Sequence, residues 1–375
     1  MLLSPHYRRM LLKASAAGIF ILSGIGGLVL LPASMSAQHG PHEVTSLPLD
    51  PARCAPPGRS IPANEAHAAP IVRLWYPVST DQSRLPILLY FSGWPGTAID
   101  NLTLVHALAA RGFIIATVTY PARLPGLDPA IYSRQLAELI RPMSFASEAD
   151  FHETLRRADA RVRVRAQDAV LVLDMLARLG TCEPANPLAH RLDTDRVGIL
   201  GFSLGGAVAA QASRLDHRFQ AVINIDGWHF ADAAKYGVNC PYLWMNDGTP
   251  LPGTADLFAR DPGQRFTAIL NQRDHDSAMD NIRRLGGIVM TVSGSRHADF
   301  SDQSGQWLRR FADLRLIAPR RVQQIVADYA TAFFEATLAG RPLATIIAGN
   351  SAAYPEVHLD IEPSRHSASS ATTVN

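Results

Sequence analysis

The chain has 375 residues, 47% hydrophobic and 18% charged. That composition fits one large packed α/β domain or two small ones and excludes disorder over most of the length. The 35 Lys and Arg stand against 33 Asp and Glu, a formal net charge of +2, with no Lys or Arg block; this excludes the electrostatic footprint that nucleic acid or an anionic membrane surface requires.

"MLLSPHYRRMLLK" carries positive charge, Ala14 to Ala33 carries none, and the small residues Ser34, Ser36 and Ala37 follow. This pattern predicts an export signal over 1–37, and so a periplasmic or secreted protein. The pair Arg8-Arg9 resembles a twin-arginine signal, with Tyr7 where that pattern prefers Ser or Thr. An uncleaved anchor is the alternative, since about twenty apolar residues can span a bilayer. Residues 38–70 are interrupted by proline and predict a linker and irregular lead-in. Cys54, Cys182 and Cys240 match no zinc or C-x-x-C spacing. In an oxidising compartment they predict one disulfide and one leftover thiol, the pair left open.

From Ile71 onward, short apolar runs alternate with helical patterns. "IVRLWYPV", "PILLYFS" and "GFIIATVTY" read as strands, with the helix "IDNLTLVHALAARG" between the second and third. Strand, helix and strand in that order imply a right-handed parallel crossover. Further strands are predicted at "DRVGILGFS", "FQAVINIDGW", "CPYLWMND" and "GGIVMTVSGS", with helices at Arg161–Gly180 and Arg320–Gly340. The alternation predicts an α/β fold: a mostly parallel sheet with helices on both faces, spanning 71–359. Residues 121–160, containing an amphipathic helix, and Gly248 to Arg284 break the alternation. Insertions at the carboxyl edge of such a sheet commonly form lids or pocket walls, and the first reads as a lid. The polar tail, 360–375, reads as disordered.

"RVGILGFSLGGAVAAQ" supplies a strand, a sharp turn and a small-residue helix around Ser203. That is the order a nucleophile elbow needs, with Gly201 and Gly205 where neighbouring backbone leaves no room for side chains. The bland alternative is a glycine turn. A serine hydroxyl needs a base to take its proton and an acid to orient that base, in the chain order Ser, acid, His. Among downstream histidines, His217, His229, His275 and His366 are set aside, and His297 follows the last strand pattern on a loop able to return to the sheet edge. Two acids end strand patterns, Asp226 in "AVINID" and Asp247 in "PYLWMND", and the residues alone leave both open.

The motifs "LWYPV", "GFSLGG", "NIDGW" and "GSRHADFSD" together resemble the secreted-type platelet-activating-factor acetylhydrolase family of α/β-hydrolases. They are also similar to the dienelactone-hydrolase and bacterial polyesterase groups. The resemblance runs from about Ile71 to Leu359. It implies Asp226, in the D-x-W segment, as the acid and His297, in the H-x-x-F segment, as the base. It also implies esters as substrates, short-chain phospholipids among them.

The oxyanion hole needs two backbone N–H donors. Leu204, directly after the nucleophile, is one. The second is expected from "GWPG", which departs from the family's H-G-x-G. Pro95 has no N–H, so Trp94 is the candidate, as in the polyesterase-like version of the loop; its alternative role is pocket wall. Trp94, Trp228 and Trp244 near strand ends suggest an apolar acyl or alcohol group. The cluster Asp274, His275, Asp276 and Asp280 carries the residue types of a metal site but reads as solvated or capping charge, and serine chemistry calls for no metal or cofactor. The expected partner is a small-molecule or lipid ester, with transient contact at a lipid surface. A polyesterase or lipase-like esterase, acyl transfer or peptidase action, and a non-catalytic binding module are the rivals.

Overall fold

The computed structural model describes residues 40–58, 69–79, 81, 83–121, 143–302, 316–349 and 351–362. The export segment, most of the stretch read as a lid (122–142) and the tail beyond 362 lie outside the described residues.

One sheet contains β1 (Val44–Leu49), β2 (Ile71–Pro77), β3 (Leu85–Phe91), β4 (Ile114–Thr119), β5 (Leu192–Phe202), β6 (Phe219–Ile225), β7 (Tyr242–Asp247), β8 (Gly287–Val292) and β9 (Val357–Glu362). Their spatial order is β1-β2-β4-β3-β5-β6-β7-β8-β9. The block from β4 to β8 is parallel, and β1, β2 and β9 pair antiparallel at its two margins. Central strands are apolar almost throughout because helices cover both faces. In β3, every residue from Pro86 to Phe91 is buried.

Helices α1 (Leu102–Ala110) and α6 (Pro319–Thr337) pack on one face. The other face carries α2 (Glu148–Ala177), α3 (Leu204–Leu215), α4 (Ala231–Tyr236) and α5 (Pro262–Leu285). Two apolar clusters result, one per face; each fully buried Leu, Ile, Val or Phe contributes roughly 1.5–3 kcal/mol against its exposed state. Among the described residues no helix is long and apolar enough to cross a membrane.

The predicted α/β alternation holds, with differences at its margins. Residues 44–49, read as irregular lead-in, form β1 against the outer edge of β2. Pro48 is accommodated because β1 is an edge strand, with one side free of ladder bonds. A helical turn, Pro51–Cys54, follows, and its Cys54 is bonded to Cys182 across a sequence separation of 128, Cα to Cα 5.3 Å. The expected single disulfide is present, leaving Cys240 as the free thiol. Burial pushes that thiol up to about 12, which disfavours the thiolate at neutral pH.

The helix expected from Arg161 begins earlier, at Glu148, so residues 148–160 of the stretch read as a lid insertion are the first turns of α2. Ser147 caps it by accepting the Asp150 N–H at 3.1 Å, with Glu148 and Asp150 in the first turn. The second insertion is mostly α5, and β9 runs to Glu362, past the expected boundary at 359. The two insertions meet. Phe151 of α2 stacks on Phe266 of α5 at 5.1 Å, and both join a small cluster with Leu270, against which Trp228 packs.

Candidate active site

The end of β5 turns sharply into α3 at Ser203, which has φ 54° and ψ −120°. A non-glycine residue at positive φ is strained, and such strain collects at functional positions. Its neighbours must be glycine: a Cβ on Gly201 would lie 2.2 Å from the Gly205 carbonyl oxygen, and one on Gly205 would lie 2.0 Å from that of Phe91. The elbow is tied to the next strand by the Ser203 N–H, which donates to the Ile225 carbonyl at 2.8 Å.

Asp226 follows Ile225 directly and also takes positive φ, 53°. Its Oδ2 lies 2.6 Å from His297 Nδ1, and its Oδ1 accepts the Asp247 N–H at 2.8 Å. The Asp247 carboxylate instead accepts the backbone N–H of His297 at 2.8 Å. The two acids that the residues alone left open, with Asp226 implied by the family resemblance, are separated by geometry: Asp226 holds the ring of His297, and Asp247 holds its backbone. His297 opens a 3₁₀ turn, His297–Phe300, after β8, and its ring stacks on Phe202, the residue before Ser203, at 4.8 Å.

Burial alone would lower the His297 pKa. The hydrogen bond and charge of Asp226, joined by the charges of Asp247 and Asp100, outweigh burial and hold it above the ordinary value of 6.5. Asp247 is pushed up to about 6, by burial first and then by the charge of Asp226.

Among the described residues, neither Leu204 N–H nor Trp94 N–H donates to a protein acceptor. Leu204 is the first residue of α3, where N–H groups have no partner within the helix. In the preceding loop, Gly93 N–H is taken by Asp100 at 2.7 Å. The loop is also gripped from α2: Arg165 donates to the Pro95 carbonyl at 2.6 Å while stacking on Tyr120 at 4.3 Å. The Arg161 guanidinium lies 3.6 Å from the centre of the Trp94 ring.

Trp228 is half-buried and donates to Asn271 at 3.0 Å, whereas Trp244 is only 4% exposed and packs in the core against His229. The expectation that all three tryptophans face a pocket is corrected for Trp244. Its side of β7 is covered by helices of the second face, so the ring is core. The acidic cluster of α5 is divided among separate partners: Asp274 bonds His229, Asp276 accepts from Gln272, and Asp280 from Arg283.

Two supporting residues went unread. Asn224 is buried in β6 and exchanges hydrogen bonds with Gly227 at 2.9 Å in both directions, bracing the segment after Asp226. A lone amide in the apolar run "AVINI" was its signal. Asp100 precedes α1 and resembles an ordinary helix-start acid in the sequence.

The sequence matches, over residues 68–341, the model of the family described as platelet-activating factor acetylhydrolase, isoform II. The chain belongs to this family. Among curated relatives, the platelet-activating factor acetylhydrolase of Gallus gallus is 22% identical over 259 residues, covering 62% of this chain and 57% of that protein. The one from Canis lupus familiaris is 21% identical over 233 residues, covering 58% and 48%. The aligned region thus spans about half the length of these acetylhydrolases. Among solved structures, a ferulic acid esterase from Streptomyces cinnamoneus superposes with a TM-score of 0.55 at 24% identity, covering 88% of this chain and 98% of that one. That likeness shows the fold. The architecture of this acetylhydrolase-family chain is the α/β-hydrolase fold.

Proposed function

We propose that the chain is an exported serine esterase. Ser203 is the nucleophile, His297 the general base, Asp226 the orienting acid, and the Leu204 and Trp94 amides are the oxyanion donors. The observation that carries this reading is the pairing of His297 with Asp226 at 2.6 Å, with the imidazole stacked on the residue next to the strained Ser203.

With Nδ1 bound to Asp226, Nε2 is the nitrogen that takes the Ser203 proton as Oγ attacks the ester carbonyl carbon. The carbonyl π pair moves onto oxygen, where the two amides hold it. Collapse breaks the bond to the leaving alkoxy group, which receives the proton from imidazolium. Water, deprotonated by His297, then attacks the acyl-enzyme and releases the carboxylic acid and free Ser203.

Short-chain carboxylic esters are the proposed substrates. Family membership favours phospholipids with a short acyl chain among them, with a polyesterase or lipase-like activity on the same triad as the second reading. Export is supported by the Cys54–Cys182 disulfide, since such bonds persist in oxidising compartments. A fluorophosphonate probe, followed by peptide mass mapping, tests the assignment. The expected adduct is on Ser203, and folded protein that stays unlabelled contradicts it. An ester panel graded in acyl length, with a short-chain phospholipid included, then separates the two substrate readings.

A further inference from the structure

The loop Gly93–Gly96 lacks the family's usual histidine, yet its first amide is anchored by a carboxyl group unassigned in the mechanism above. Both carboxyl oxygens of Asp100 are used inside the protein: Oδ2 accepts Gly93 N–H at 2.7 Å, and Oδ1 accepts the hydroxyl of Tyr90. Tyr90 is fully buried in β3, and its hydroxyl also accepts from Asn101 Nδ2 at 2.9 Å. The Asp100 carbonyl accepts the Asp302 N–H at 2.8 Å and the Ser301 hydroxyl at 2.9 Å, both just beyond the 3₁₀ turn that begins at His297. Asp302 returns the contact by accepting the Thr103 N–H at 2.7 Å.

The same carboxyl and the elbow both border Gly93. A Cβ placed on Gly93 would be 3.1 Å from Asp100 Oδ2 and 3.2 Å from Ser203 Cβ. Burial pushes Asp100 up to about 6. Burying an acid there is unfavourable unless it is hydrogen-bonded, and the Gly93 amide and Tyr90 hydroxyl supply those bonds. The anchored Gly93 amide plane is joined to the next plane, which carries the Trp94 N–H, through only the two dihedrals of Gly93.

We propose that Asp100 is the positioning residue of the oxyanion loop. By taking the Gly93 N–H it leaves the Trp94 amide as the loop's donor, and through its backbone it fixes that amide relative to the histidine turn. This rests on the serine-esterase reading above. In this chain Asp100 thus anchors a loop whose sequence, "GWPG", departs from the family pattern.

The test compares Asp100→Ala with the parent enzyme, with kcat expressed per site titrated by fluorophosphonate. Loss of an oxyanion donor costs about a hundredfold to a thousandfold. The expectation is a kcat roughly a hundredfold lower with KM within about threefold, and a trifluoromethyl ketone transition-state analogue weakened in step with kcat/KM. Asp100→Asn keeps an acceptor for Gly93 and is expected to recover about tenfold or more of the loss. A normal kcat per titrated site in Asp100→Ala would overturn the proposal even if the protein melts earlier, since that is a structural role only. Unchanged analogue affinity, or an Asn variant no better than Ala, would overturn it too. Should Asp100→Ala not fold, Tyr90→Phe removes one anchor of the same carboxyl. The expectation is then a kcat and analogue affinity both about tenfold lower, and unchanged values contradict the role. Ser203→Ala separates the two levels: an active Ser203→Ala enzyme refutes the esterase reading itself, whatever Asp100 does.

Discussion

Two of the His-Asp pairs among the described residues, built from the same residue types, have contrasting surroundings. In the first, His297 and Asp226 have side chains 42% and 11% exposed and lie 2.6 Å apart, at the carboxyl edge of the sheet beside the strained Ser203. In the second, His229 and Asp274 are 4% and 5% exposed, 3.3 Å apart, and the far ring nitrogen of His229 meets the Tyr242 hydroxyl at 2.7 Å. The cavity beside that second pair holds about 10 Å³. That is room for roughly one water and no ester. The pairing of an imidazole with a carboxylate therefore does not make a site. What separates the two is exposure to solvent and, beside the first, the strained Ser203.

The largest expected effect breaks the first pair. Asp226→Asn should lower kcat by about 10³ to 10⁴-fold while the melting temperature stays within a few degrees, because the neutral amide favours the wrong tautomer of His297. Steady-state kinetics beside calorimetry checks both halves. The matching change in the second pair should do the reverse. Asp274→Ala leaves the His229 backbone N–H and ring without their buried acceptor, so it should cost about 3 kcal/mol of stability in denaturant titration. The kcat of its folded fraction should stay within a fewfold of the parent. If Asp274→Ala lost activity like Asp226→Asn without losing stability, the comparison would fail.

Next in size is the disulfide. Its loop closure corresponds to about 5 kcal/mol in the chain-entropy treatment, with 2–4 kcal/mol typical of measurement. Because the bond ties Pro51–Cys54 to the turn beyond the C-terminal end of α2 and takes no part in the contacts of Ser203, Asp226 or His297, Cys54→Ser with Cys182→Ser should lower the melting temperature. It should leave kcat little changed. Smaller still is Asp247→Ala, which frees the backbone of His297 but not its ring. A loss of about tenfold in kcat is expected.

The pH profile of kcat/KM sharpens the account at its finest scale. Only neutral His297 can accept the serine proton, so activity falls as pH drops through its pKa. With nearby carboxylates holding that pKa above 6.5, the midpoint of the acid limb should lie above 6.5. Asp247→Asn removes one of those charges and should move the midpoint to lower pH.

Much of this was legible in the sequence where the signal is local. The elbow was readable because Gly201, Ser203 and Gly205 are consecutive constraints on one turn, and the central strands because burial on both faces makes them apolar. His297 was legible by its place after the last parallel strand. What escaped depends on contacts distant in the chain. β1 is half-exposed, carries Pro48 and is a strand only because β2 offers an open edge. Asp226 and Asp247 end adjacent strands; the residues alone left both open, the family resemblance implied Asp226, and the position of the histidine ring separates them. Asp100 gains its role from Tyr90, Gly93 and Asp302, the last of these some two hundred residues away in the chain. The start of α2 was the exception. Ser147 and Asp150 form a local capping signal that the charged run after it obscured.

The central claim is that Ser203 performs the chemistry. Its most direct test is the hydrolysis rate of a short-chain p-nitrophenyl ester by folded Ser203→Ala protein. The account predicts a fall of about a millionfold in kcat, to the residual level left by binding and the oxyanion amides. A rate within tenfold of the parent would contradict it.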